Sequence, residues 1–401
     1  MPSNYKRLGD FIQEVNIRNR DLSNIPLLGV SIKKVLMPSI ANIIGTDMST
    51  YKLIRKNQFA YGPVTSRNGD KISIALLEEF DNAMVSQAYT VFEVIDENEL
   101  LPEYLMMWFR RPEFDRYARF MSHGSAREIF SWTEMSETLL PILSIEKQQE
   151  IVREYNTIQN RIALNNQLIS KLEETAQAIY KQWFVDFEFP FVTSSGVEMP
   201  YKSNGGKMIW CEELEKEIPE GWELLKLSNI AEIIMGQSPE GETYNSDGNG
   251  MIFYQGRTDF GFRYPAITTF TTSPKKKALK NDILMSVRAP VGDLNIAIEN
   301  CSIGRGVAAL RSKNKSNSTL FYTLKLLKSY FDISDGEGTI FGSITKDDLY
   351  NIKVIFSQEE FLNFNKIASK IDEHIKFGCI ENQKLEELKE LLLAKMTRVE
   401  N

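Results

Sequence analysis

The chain repeats part of itself. Lys171-Leu172-Glu173-Glu174 returns 213 residues later as Lys384-Leu385-Glu386-Glu387, and at the same offset Ile158 maps onto Ile371, Ile162 onto Ile375, Leu164 onto Phe377 and Ile179 onto Leu392. The flanks drift slightly: Gly124-Ser125 maps onto Gly338-Thr339 at offset 214, and Leu8 and Phe11 onto Leu227 and Ile230 at 219. A period this long is not that of a solenoid, whose repeats run to about 50 residues. It is a tandem duplication of one plan, a globular part followed by a long helix, and a two-fold plan suits a two-part target.

The helical signal is strongest after Ser144, a good N-cap. From Ile145 to Phe184 there is no Gly or Pro. One seam of seven-residue steps runs Ile151, Ile158, Asn165, Leu172, Ile179, and a second runs Tyr155, Ile162, Ile169, Ala176, Trp183. Alternating steps of three and four make a coiled-coil stripe. Forty residues would span about 60 Å, and a lone helix of that length needs a partner for its apolar stripe. The partner expected is the second copy. It opens with the capping box Ser357-Gln-Glu-Glu360 and continues through Phe364, Ile371, Ile375, Leu385 and Leu392. Asn165 either fixes register within the seam or is a solvated position in a loose stretch. Gly378 falls where Asn165 sits in the first copy and should weaken the second helix at its middle.

Before each helix lies a strand-rich part. Ile72–Leu77 and Tyr89–Val94 read as strands, Gly62-Pro63 and Asn68-Gly69 as turns, and Leu101–Arg110 as a helix with Pro102 in its first turn. The fold class expected is α+β. The segments are a first mixed α/β domain at 1–143, a central helix at 144–189, a connector rich in Gly, Pro and Ser at 190–221, a second mixed α/β domain at 222–356, and a C-terminal helix at 357–401.

Composition excludes several classes. No run of about 18 apolar residues suits a membrane span, and the N-terminus lacks the apolar core of a signal peptide, so a cytoplasmic protein is expected. Three distant cysteines do not make a disulfide framework. With two histidines, His374 reading as a surface residue, no zinc spacing is present; nor is a P-loop or a full dinucleotide fingerprint, since Gly304-Arg-Gly306 stands alone. No Asp follows a proline, as a PD-(D/E)xK nuclease would need, and no Asn- or Asp-Pro-Pro-aromatic tetrapeptide of an amino-methyltransferase occurs. Jointly these absences argue for a non-catalytic chain.

Net charge is −7, which by itself disfavours nucleic acid, but residues 241–316 hold 11 Lys/Arg against 6 Asp/Glu while 205–224 hold 2 against 6. A local basic patch matters for DNA because salt screens beyond about 10 Å. The candidate DNA-binding residues are Lys52, Arg55, Arg67, Asn68, Lys71 and Arg127 in the first domain. In the second they are Gln237, Gln255, Arg257, Arg263, Lys275, Lys276, Lys277, Arg288 and Arg305. Lys56, Arg110, Arg111, Arg116 and Arg119 add to the basic content of the first domain. Lys suits phosphates; Arg, Asn and Gln suit bidentate contacts to base edges. Each has a plain alternative as a solvated or ion-paired residue. Arg288-Ala-Pro290 could equally set the fold, with Arg288 in a buried pair.

Three stretches together resemble the specificity subunit of type I restriction-modification systems over essentially the whole chain. Glu217-Ile-Pro-Glu-Gly-Trp-Glu223 with Leu227 resembles the opening of a target recognition domain. Asp282–Asp293 with Ile303–Ala309 is similar to that domain's middle, and Lys171–Phe187 running on to Pro200-Tyr-Lys202 resembles the central helix and its exit. The first domain departs, its Phe59–Lys71 stretch matching the Asp282 region poorly. The resemblance implies a reader of DNA without chemistry of its own. Each recognition domain would bind one half of a split double-stranded DNA target. The helices would pair as an antiparallel coiled coil that sets the gap and docks two modification subunits. No cofactor is then bound by this chain: S-adenosylmethionine belongs to the modification subunits, and ATP and magnesium to the restriction subunits of the full complex. The alternatives are a non-catalytic coiled-coil scaffold that binds protein, and a divergent enzyme.

Overall fold

The computed structural model describes residues 5–40, 45–66, 69, 71–124, 128–193, 196–335 and 343–396. Arg67, Asn68 and Arg127, and the repeat pair Ser125 and Gly338-Thr339, lie outside the described residues. The chain forms two compact units, 1–163 with 383–401, and 164–382, so each unit takes a part of both long helices.

The first unit carries a four-stranded antiparallel sheet in the order Ile12–Val15, Thr90–Val94, Phe59–Gly62, Ser73–Leu76. A second sheet runs Leu36–Pro38, Leu27–Val30, Asn82–Val85, Lys52–Arg55, with the 27–30 and 82–85 strands parallel. Its core gathers Phe59, Phe92 and Phe109 with Trp108 and Leu105 of the helix Pro102–Arg110. The Phe59 and Phe92 rings stack at 4.7 Å while Phe109 meets both edge-on. That geometry suits the ring quadrupole.

The second unit repeats the topology. Its antiparallel sheet is ordered Ala231–Met235, Val307–Ser312, Ile283–Ser286, Leu294–Ile296. Its other sheet is ordered Tyr244–Asn245, Phe270–Thr271, Met251–Tyr254, Cys301–Ile303, Lys277–Ala278, again with one parallel pair, 251–254 beside 301–303. The Phe59–Gly62 strand therefore holds the same place as Ile283–Ser286, although their sequences match poorly. Pairing depends on alternation and burial rather than residue identity. The weak repeat at offset 219 is also structural. Leu8 N donates to Thr138 O and Leu227 N to Ile352 O, both at 2.8 Å, and both leucines are buried. Ser131 with Glu134 and Thr345 with Asp348 form full capping boxes 214 residues apart.

The long helices span Ile145–Phe184 and Gln358–Lys395. In the first unit Ile151, Val152 and Tyr155 share a core with Leu393 and Met396. In the second, Tyr180, Trp183 and Phe184 pack against Phe361, Phe364 and Ala368. Asn165 is buried and paired, not solvated: its Nδ2 donates to Glu381 Oε2 and Asn382 Oδ1, each at 2.9 Å. Gly378 has a use beyond weakening the helix. A Cβ there would lie 3.0 Å from Ile169 Cδ1, so its absence lets that side chain reach the helix backbone. At Ser357 only half of the expected capping box is made. Its Oγ accepts from Glu360 N at 3.3 Å, while the Glu360 carboxyl turns to Asn363.

The motifs that resemble a known family are mostly core. Trp222 is buried between Phe184, Phe187 and Phe189, with ring centroids at 5.1–5.7 Å. Asp282 is buried and accepts from Arg311 Nε and Nη2 at 2.6 and 2.8 Å.

Candidate nucleic-acid interface

In the second domain, four loops leave the sheets at one edge. They follow Ala231–Met235, Met251–Tyr254, Ile283–Ser286 and Cys301–Ile303. Their backbones are stitched together. Gln237 N donates to Ile303 O, Gly304 N to Tyr254 O, Gly306 N to Gln255 O and Val287 N to Gly306 O, at 2.8–3.2 Å. Glycine is required for this closeness. A Cβ on Gly236 would stand 2.2 Å from Gly304 O, and one on Gly306 would stand 2.9 Å from Gln255 O. The Gly304-Arg-Gly306 element thus closes a loop rather than opening a dinucleotide site.

The loops enclose a cleft of about 280 Å³ lined by Ser238, Gln255, Arg257, Thr258, Arg288 and Arg305 among others. Arg257 Nε is held by Asp293 Oδ2 at 2.9 Å, and Asp293 also accepts from Lys328 Nζ. Arg288 and Arg305 are exposed and form no ion pair among the described residues, so Arg288 is not in a buried pair. Two unneutralised guanidiniums and an amide on one rim form a set able to grip a phosphate or a guanine edge. Lys275, Lys276 and Lys277 are exposed on the flank of this edge, where Lys276 O accepts from Ile303 N at 2.9 Å. Gln237 is exposed beside the cleft.

Arg263 does not belong to this set. It is 1% exposed, with Nη2 2.8 Å from Glu173 Oε2 and 2.7 Å from Asp372 Oδ1, and it cannot reach DNA. Its mid-loop position between Phe262 and Tyr264 gave no sign of burial. In the first domain, Lys52 is also a correction. It is 6% exposed and directed at Glu14, 3.9 Å away, and burial lowers its pKa. Arg55 is exposed but at the opposite end of the same strand, paired with Asn82. Lys71 is exposed at the close of the loop equivalent to 287–293. Arg111 is buried over the Trp108 ring at 4.3 Å, and Arg119 pairs with Glu128. The loop after Ile12–Val15, equivalent to the one bearing Gln237, holds Arg18 and Arg20, which residue type alone did not single out. Asp293 was missed too, because nothing in the sequence pairs it with Arg257.

A larger cavity of about 840 Å³ lies in the first unit, but Glu78, Glu79, Glu113, Glu386 and Glu390 outnumber its cations Lys33, Arg110 and Lys389. Such a lining repels phosphate. Among the described residues no helix is long and apolar enough to cross a membrane.

Comparison with known proteins agrees with this arrangement. The family described as "Type I restriction modification DNA specificity domain" matches residues 19–174 and 219–390. The chain is 31% identical over 304 residues to a protein described as the MjaX type I restriction enzyme specificity subunit of Methanocaldococcus jannaschii, covering 74% of this chain and 68% of the relative. It is 23% identical over 419 residues to the type I restriction enzyme HindI specificity subunit of Haemophilus influenzae, covering 90% of each. Its fold is similar to that of the type I restriction-modification S subunit from M. genitalium, with a TM-score of 0.59 at 14% identity over 98% of this chain and 95% of that one. With two matched copies of the recognition domain and basic loops converging on one cleft, this chain belongs to the type I restriction-modification DNA specificity subunit family.

Proposed function

We propose that each recognition domain reads one half of a bipartite double-stranded DNA target, and that the two long helices pair as an antiparallel coiled coil that sets the gap between the halves. In this reading the helices also dock two modification subunits, which hold S-adenosylmethionine and methylate adenine. Restriction subunits using ATP and magnesium complete the assembly in the cytoplasm, and this chain holds no cofactor. The observation that carries the reading is the convergence of Gln255, Arg257, Arg288 and Arg305 on one cleft. The repeated sheet order supports two readers of one kind. Contacts of Tyr180 and Phe184 with Phe364, and of Asn165 with Asn382, support helix pairing.

The test is an exchange of residues 222–356 for the second domain of another specificity subunit, followed by mapping of methylated adenines in cells that also express the modification subunit. One half of the target should change and the other should persist; a change in both halves defeats modular reading. Binding should weaken with salt, log affinity falling by roughly 0.9 per phosphate contacted per decade of salt. A flat response would favour a protein-binding scaffold.

A further inference from the structure

We infer that Arg263 is a positioning residue. It fastens the DNA-facing loop 255–266 to the two long helices and so fixes the direction in which the second domain reads DNA. The inference rests on the reading of Gln255 and Arg257 as DNA-facing.

The loop leaves the strand Met251–Tyr254 at the cleft, runs through Gln255 and Arg257, and then turns inward. Its outer half is held by short-range bonds, Phe260 N to Arg257 O at 2.9 Å and Ala266 N to Asp259 O at 2.8 Å. Its inner half is tied to the sheet. Asn295 donates to Gly261 O and accepts from Gly261 N, and Ile296 N donates to Arg263 O at 2.9 Å. The Arg263 side chain then passes beneath the domain. Nη2 lies 2.8 Å from Glu173 Oε2 on the first long helix and 2.7 Å from Asp372 Oδ1 on the second. The same nitrogen donates to Tyr322 Oη at 2.8 Å, and the guanidinium lies 3.9 Å from the Phe321 ring centroid. Lys325 closes the set on Glu173, so two cations balance two carboxylates.

Chemistry argues that this cluster is directional. Burying a guanidinium is costly, and a Met or Leu of similar volume would often hold the domain as well or better. Nε and Nη1 of Arg263 are buried without hydrogen-bond partners, so the site is not optimised for stability. What an apolar residue could not supply is a charge whose Nη2 meets one carboxylate from each helix. The other recognition domain also buries a cation in the equivalent loop, there against its own short helices rather than the long ones. In the loop between Leu27–Val30 and Leu36–Pro38, topologically equivalent to 255–269, Lys34 is buried with Nζ 2.8 Å from Asp115 Oδ1, and it donates to Phe109 O. Each domain therefore sinks one cation from the loop between the same two strands.

The test uses Arg263→Met, Arg263→Lys and Asp372→Asn in the full chain. Amide hydrogen exchange of the chain alone should be at least about tenfold faster at Phe260 and Ala266 in Arg263→Met and Asp372→Asn, with partial recovery in Arg263→Lys. Asp372→Asn keeps the loop sequence intact, so a change there reports the anchor itself. In complex with the modification subunit, selection from a randomised bipartite DNA library should lose at least about fivefold preference in the half read by the second domain, with the other half unchanged. Unchanged exchange at both amides in folded variants overturns the inference, as does a loosened loop with full preference in both halves. A wild-type complex that selects no DNA would instead remove the DNA reading, and the exchange arm would still decide whether Arg263 anchors the loop.

Discussion

Replacing Arg305 with alanine should separate base reading from phosphate contact at the cleft. The side chain is exposed and forms no ion pair among the described residues, so its removal orphans no carboxylate. Its backbone is fixed independently, by Arg305 N donating to Ser238 Oγ at 3.3 Å and by the close fit of Gly306 against Gln255. Stability should therefore change by no more than about 0.5 kcal/mol, as for other surface substitutions. If the guanidinium makes a bidentate base contact, its loss costs about 1–3 kcal/mol, or roughly 5- to 150-fold in affinity, and relaxes one position of one half-site. If it meets a phosphate, all sequences weaken alike and the salt slope falls by about 0.9. Fluorescence anisotropy of the subunit complex on matched and singly mismatched duplexes, over a salt series, reads both quantities. Arg257 would not serve as well, because its removal also takes one of two cations from Asp293, which would keep only Lys328. Unaltered affinity, sequence preference and salt slope in Arg305→Ala would refute the placing of DNA at this cleft.

Other substitutions probe the supports of the site. Burial and the neighbouring Glu359 charge raise the Glu360 carboxyl to about 7, against a weaker pull from Asn363. An acid raised on folding is most favourable below its unfolded pKa and loses that contribution as pH rises from about 4.5 through about 7. Glu360→Gln should therefore stabilise the fold at pH 8 by about 1 kcal/mol after allowance for solvent and for the helix N-terminus, read as a higher melting temperature, and should have little effect near pH 4; an equal gain at both pH values would contradict the titration. Trp222→Ala, which empties the space among Phe184, Phe187 and Phe189, should cost about 3–5 kcal/mol by urea unfolding, and a loss under 1 would show that the site collapses freely. Gly236→Ala would drive a Cβ to 2.2 Å from Gly304 O and should cost at least about 1–3 kcal/mol while weakening DNA binding; wild-type unfolding and affinity would show that the loops are not fastened as described.

What the sequence settled by itself is periodic or repeated. The seven-residue seams from Ile151 to Trp183 identified the long helix, since a helix shows its buried face at fixed spacing whatever it packs against. The offset of 213 revealed the duplication, and the motifs around Trp183, Trp222 and Asp282 disclosed the family because core residues at close-packed positions tolerate little change. Three-dimensional proximity decided the rest. Arg263 and Arg305 are the same residue type in neighbouring loops, yet one is buried between two carboxylates and the other lies open on the cleft. Lys52 and Lys277 occupy equivalent edge strands, but only Lys52 turns inward to Glu14. Exposure of a charge depends on groups brought near it from distant positions, Glu173 and Asp372 for Arg263, and no local pattern encodes those distances.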